Sequence, residues 1–168
     1  MNSLYLKNGF RFVLLVMVQG LIFNHINLFN YINPFVYILF IILFPVRKNI
    51  APFLILSFLL GLSVDFFSDS GGIHAAASTF IAFIRLPYLN FILGRSDFDY
   101  LLFHFGGLPL SKAILYLSGL TFIHHLIVFS LEYFSLNEFS IILSKTLYTG
   151  LFTIFLSIVA LLLFSKRR

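Results

Sequence analysis

Residues 51–67 read APFLILSFLLGLSVDFF, residues 68–72 read SDSGG, and residues 73–88 read IHAAASTFIAFIRLPY. Each flanking block is almost continuously apolar and approaches the roughly 20 residues that a helix needs to cross a bilayer. The five residues between them are turn formers. Two apolar blocks hinged on a short polar loop predict a helical hairpin in a membrane. The hairpin also carries an exception, Asp65, a charge that inside a span normally faces a protein interior or a polar cavity.

The rest of the chain has the same character. Of 168 residues, 60% are hydrophobic, 24 are Phe, and only 10% are charged, against about 25% in an average soluble domain. With a mean hydropathy of +1.02 there is too little polar side chain to coat a water-soluble domain, so lipid must be the main solvent of its surface. The expected class is an all-α polytopic integral membrane protein forming a single transmembrane domain. Cysteine is absent, which excludes disulfides, thiolate metal sites and a thiol nucleophile. The net charge of +5 first reports orientation in such a chain, and nucleic acid is not an expected partner.

Six spans are expected, at about 10–30, 34–46, 51–67, 73–89, 111–134 and 141–164. The second is the shortest: its apolar run, Phe35 to Phe44, lies between Pro34 and Pro45, and a re-entrant or buried half-helix is its alternative. Residues 90–110 mix charges, aromatic rings, Gly106-Gly107 and Pro109, and are expected to lie in the cytoplasmic interface. With a cytoplasmic N terminus, Lys7, Arg11, Arg47, Lys48, Arg85, Arg95, Lys112, Lys166, Arg167 and Arg168 fall on the inner side. Only Lys145 of the 11 basic residues falls on the outer side. That asymmetry places both termini inside and argues that the chain does cross at 34–46, since omitting that span would invert everything after it.

The most informative stretch is Gly61 to Ala76. Gly61 sits one turn before Asp65 on the same helix face, where a missing side chain permits close helix contact. Asp65 either marks a polar helix end or serves as a fixed polar anchor. The pattern Gly-Leu-x-x-Asp-Phe-Phe-Ser-x-Ser-x-Gly-Ile-His-Ala-Ala, with Gly61, Asp65, Ser68, Gly72 and His74 as its marked positions, resembles the rod shape-determining protein MreD family. The length, the six-span topology, and the runs Ile123-His124-His125-Leu126 and Phe129 to Phe134 agree with that likeness, while Gly71 stands where many members carry Pro or Leu.

The resemblance implies a non-enzymatic subunit of the bacterial cell-elongation machinery in the cytoplasmic membrane. Its implied partner is an MreC-like bitopic membrane protein. Through that partner come the actin-like filament, a SEDS-family glycosyltransferase and a class B penicillin-binding transpeptidase. The resemblance also implies a fold shared with the substrate-binding subunits of energy-coupling-factor transporters. A small-molecule-binding transport subunit is therefore the alternative, with Asn24, His25, Asn27 and Asn30 as the polar edge of an outward-facing pocket.

Read for chemistry alone, the residues suggest neither catalysis nor a cofactor. His124 and His125 point about 100° apart on a helix and cannot both face one ion. Ser63, Ser68 and Ser70 lack a specified base and oxyanion hole. A polar layer is expected instead. At about 1.5 Å per residue, Asn24, Asp65 and His125 each lie about 21 Å from the inner end of their helices, with Lys145 at a similar depth. Asp65 is thus expected to face inward and pair with at least one of Asn24, His125 or Lys145.

The charge asymmetry makes a direct prediction. A fluorescent protein fused after Arg168 should fluoresce in the cytoplasm and alkaline phosphatase at the same point should be inactive; the reverse pattern overturns the orientation.

Overall fold

A computed structural model describes residues 2–28, 31–46, 49–94 and 105–164. The α-helical elements in chain order are α1 (Asn2–Val18), α2 (Asn24–Ile26), α3 (Ile38–Leu43), α4 (Ala51–Ser68), α5 (Ile73–Leu93), α6 (Leu110–Tyr133) and α7 (Phe139–Phe164). A π-helical turn, Gln19–Phe23, joins α1 to α2 without a break. Among the described residues, five helices are long and apolar enough to cross a membrane: Leu6–Ile26, Ala51–Ser68, Ile73–Leu93, Leu110–Tyr133 and Phe139–Leu163. The protein is all-α and polytopic.

The boundaries differ from expectation in instructive ways. The first span ends at Ile26 and not at residue 30, because Asn27 takes the left-handed conformation with φ 35°. The chain then turns back through a Leu28–Ile32 bridge. The fourth span continues past residue 89 to Leu93, where Gly94 at φ 65° caps it, so residues 90–93 are helix and not interfacial loop. Most of the expected interfacial segment, 95–104, lies outside the described residues, as do Arg47 and Lys48.

The second span is the main correction. Only six residues, Ile38–Leu43, are helical, and every residue from Phe35 to Ile42 is buried. This is the buried half-helix, reached by a non-helical stretch at 33–35 and left at Phe44, whose backbone is extended. It nevertheless carries the chain along the bundle. Pro34 and Tyr37 hydrogen-bond to Gln19, whereas Leu43 bonds to Arg11, about 12 Å nearer the start of α1. The segment thus forms the centre around which the longer helices pack.

The α4–α5 hairpin supplies one wall of that centre. Gly61 is buried, and a Cβ placed there would collide with the backbone of His74 and Ala75. Backbone cannot swing aside as a side-chain tip can, so α4 and α5 approach as they do only because residue 61 has no side chain. Gly61→Ala should therefore push the hairpin apart and cost about 1–3 kcal/mol, read as a lowered unfolding midpoint in detergent titrated with SDS. An unchanged midpoint would show that the contact is slack.

Candidate functional site

The five marked motif residues do converge, at the closed end of the α4–α5 hairpin. Asp65, three residues before the end of α4, is 5% exposed. Its Oδ1 accepts hydrogen bonds from Ser70 Oγ at 2.5 Å and His74 N at 2.9 Å, and its Oδ2 accepts one from Ala75 N at 2.8 Å. The first turn of α5 has no side-chain cap of its own, because its N-cap residue is Gly72, at φ 99°. The first amides of any helix lack partners within it. Asp65 supplies them from the preceding helix, placing negative charge at the positive end of the α5 dipole. Ser68 continues the chain of contacts by donating to Val64 O at 3.0 Å and accepting from Asn24 Nδ2 at 2.8 Å. The end of the first span, α2, is thereby tied to the hairpin.

On the other side of His74, the site reaches the half-helix. The Tyr37 hydroxyl lies 2.9 Å from His74 Nδ1 and 2.8 Å from His124 Nε2. A phenol has one proton, so one imidazole accepts from it and the other donates to it. The neighbouring His125 has its tautomer set by its partners. Nδ1 is 2.7 Å from the Thr121 carbonyl and must carry the proton. Nε2 then accepts from Thr153 Oγ1 at 3.0 Å, and that oxygen accepts from Phe35 N at 3.1 Å. The Phe35 ring fills the space between the imidazoles, 4.9 Å from His74 and 5.0 Å from His125 between centroids. Adjacent histidines on α6 thus reach different partners, as their 100° separation requires.

The expected pairing of Asp65 with Asn24, His125 or Lys145 is not found. Asp65 is satisfied by Ser70 and the α5 amides, Asn24 by Ser68 and Gln19, and His125 by Thr121 and Thr153. Lys145 stands apart, 3.8 Å from Glu132 Oε1 and 5.0 Å from the Tyr133 ring centroid. Similar depth along a helix says nothing about azimuth, and here the azimuths differ. Of the three expected partners, only Asn24 is tied to the same end of the hairpin, through Ser68; His125 meets the same centre through Thr153 and Phe35.

Sequence reasoning passed over Gln19, Tyr37, Thr153 and, except as an orientation charge, Arg85. Gln19 is fully buried, donates from Nε2 to Pro34 O at 3.0 Å and to Asn24 Oδ1 at 2.9 Å, and accepts from Tyr37 N at 3.4 Å. At the far end of α3, Arg85 Nη1 donates to Ile41 O at 2.5 Å and Phe44 O at 2.9 Å. Its guanidinium carbon lies 4.4 Å from the Phe53 ring centroid. The available signal was a polar side chain inside an apolar run, which in lipid asks for a partner.

Comparison with protein-family models, with curated proteins and with solved structures gave no match to this chain. The site is therefore read from its own geometry. It is a clasp in which the polar atoms of the hairpin loop, α1, the half-helix, α6 and α7 face one another. Asp65 has both carboxylate oxygens occupied by hydrogen bonds, and the Tyr37 phenol sits between two of the imidazoles.

Two substitutions test the clasp. Asp65→Ala leaves three donors unpaired and should destabilise by about 2–4 kcal/mol, with Asp65→Asn milder because its carbonyl oxygen still accepts. Tyr37→Phe should cost about 1–3 kcal/mol for its two lost bonds. Both are measured by SDS-titrated unfolding in mixed micelles, and equal stabilities for Asp65→Ala and Asp65→Asn would refute the capping role.

Proposed function

We propose that the protein is a non-enzymatic membrane scaffold of the bacterial cell-elongation complex, acting in the cytoplasmic membrane to support cell shape and peptidoglycan synthesis. One observation carries this reading: the residues that give the chain its likeness to the MreD family are spent on internal structure. Gly61 seats α4 on α5, Asp65 caps α5, Ser68 holds α2 at the end of the first span, and His74 holds the half-helix through Tyr37. A motif built this way specifies a shape. A protein whose asset is its shape acts through the surfaces it presents, here the lipid-facing sides of its helices, where Phe58, Phe66 and Phe155 are exposed.

In this reading the partner is an MreC-like bitopic protein, and through it the actin-like filament, a SEDS-family glycosyltransferase and a class B penicillin-binding transpeptidase. The transport-subunit alternative needs the polar edge of the first helix to line a binding pocket. The Asn24 carboxamide is instead bonded to Ser68 and Gln19, and Phe35 and Tyr37 fill the space among the three imidazoles, which favours the scaffold.

Depletion in the native host separates the two. Rounded cells, rescued by the wild-type gene and rescued less well by Asp65→Ala, are expected. Normal shape with failed uptake of a vitamin would sink the scaffold reading.

A further inference from the structure

A groove runs along the bundle between α1 and α4. Its larger part is a cavity of about 650 Å³ floored by Phe40 and Phe44. A second cavity of about 440 Å³ continues it, sharing Phe12, Val13 and Leu59. From Pro52 to Phe67 along α4 the groove extends about 22 Å, the reach of a long acyl chain.

The lining changes character from end to end. Asn8, Asn49 and Arg85 border the larger cavity, whereas the second is walled by Met17, Leu62 and Phe66, with Ser63 the one polar residue. Arg85 is only 3% exposed. Its Nη1 is taken by the carbonyls of Ile41 and Phe44, while Nε and Nη2 have no protein acceptor among the described residues, and the residue borders the cavity. No carboxylate among the described residues forms an ion pair with it. A guanidinium inside a span, with one edge free and an apolar channel leading away from it, is complementary to an anionic head joined to a hydrocarbon tail. Tyr88, one turn further along α5, bonds to Leu115 O near the start of α6. Arg85 therefore lies toward the end of the bundle that the positive charges assign to the cytoplasmic leaflet. A partner's transmembrane helix in the same place would need an acidic residue of its own to answer the cation.

We propose that this groove is a phospholipid site, with the phosphodiester on the free edge of Arg85 beside Asn8 and Asn49 and one acyl chain lying along Phe12, Val13 and Leu59 toward Phe66. The site is independent of the scaffold reading, and lipid would act there as a bound wedge between α1 and α4.

The test uses the purified full-length chain in a neutral detergent. Dioleoylphosphatidylglycerol and dioleoylglycerol, which share their chains and differ in the phosphate, are compared by native mass spectrometry and thermal melting. The phospholipid should bind at least about tenfold more tightly, a difference expected of a charge-assisted contact, and should raise the melting temperature. Arg85→Gln should erase that preference. Arg85 also fastens α3, so Gly9→Trp keeps the test sharp if Arg85→Gln fails to fold. Gly9 borders the larger cavity and a Cβ there meets nothing within 4 Å, so the indole is expected to occupy the groove, abolish lipid binding and leave the lipid-free melting temperature unchanged. Equal binding of the two lipids, phosphatidylglycerol binding that survives Gly9→Trp, or the same stabilisation by inorganic phosphate alone would overturn the proposal. So would a photocrosslinker at Val13, exposed by 56%, that captures a membrane protein in cells where a phospholipid adduct is expected.

Discussion

A backbone amide or carbonyl inside hydrocarbon has no water to fall back on, so any interruption of a helix at membrane depth must be satisfied by other protein groups. This chain makes such an interruption at its centre. Around the six-residue α3, the Phe35 amide reaches Thr153, the Pro34 carbonyl and the Tyr37 amide reach Gln19, and the last carbonyls reach Arg85 and Arg11. Three helices, the first span, α5 and α7, have to be in register for those four side chains to arrive together. The π-helical turn at Gln19–Phe23 contributes here, since Gln19 is wholly buried where it begins and such turns redirect a side chain without breaking the helix.

The same economy governs the charges. A carboxylate at the bilayer centre costs about 2.5–3.5 kcal/mol on insertion scales, and Asp65 offsets that by meeting three donors, two of them amides that would otherwise be unpaired at the start of α5. Arg85 answers the opposite end of a helix dipole, since its guanidinium lies on the carbonyl terminus of α3. Each buried charge thus sits at the helix end whose partial charge it complements.

The class and the five long spans were legible because hydropathy in lipid is a strong, local signal: the α4–α5 hairpin boundaries at Ala51 and Ile73 match the structure to the residue. Gly61, Asp65, Ser68, Gly72 and His74 were legible as a cluster because they lie within one hairpin, where proximity in sequence is proximity in space. The partners of Asp65 were not. Helical rise gives depth alone, so Asn24, His125 and Lys145 looked equivalent, and the true acceptor-seeking groups were backbone amides, which carry no residue identity to read. Tyr37 and Thr153 were passed over for a related reason. A Tyr or Thr in an apolar run is ordinary, and only the fold brings Tyr37 to two imidazoles and Thr153 to Phe35.

The shortness of α3 bears on how the molecule is made. A stretch whose helix is six residues long, flanked by non-helical backbone, is too short to partition into lipid as an independent span. Its unpaired amides and carbonyls would resist entry by themselves. It can settle only once Gln19, Arg85 and Thr153 are present to receive it, and Thr153 belongs to the last helix. Residues synthesised second therefore dock after the helices that follow them, and the early chain must wait at the translocon or the membrane surface until the C-terminal helix has been delivered.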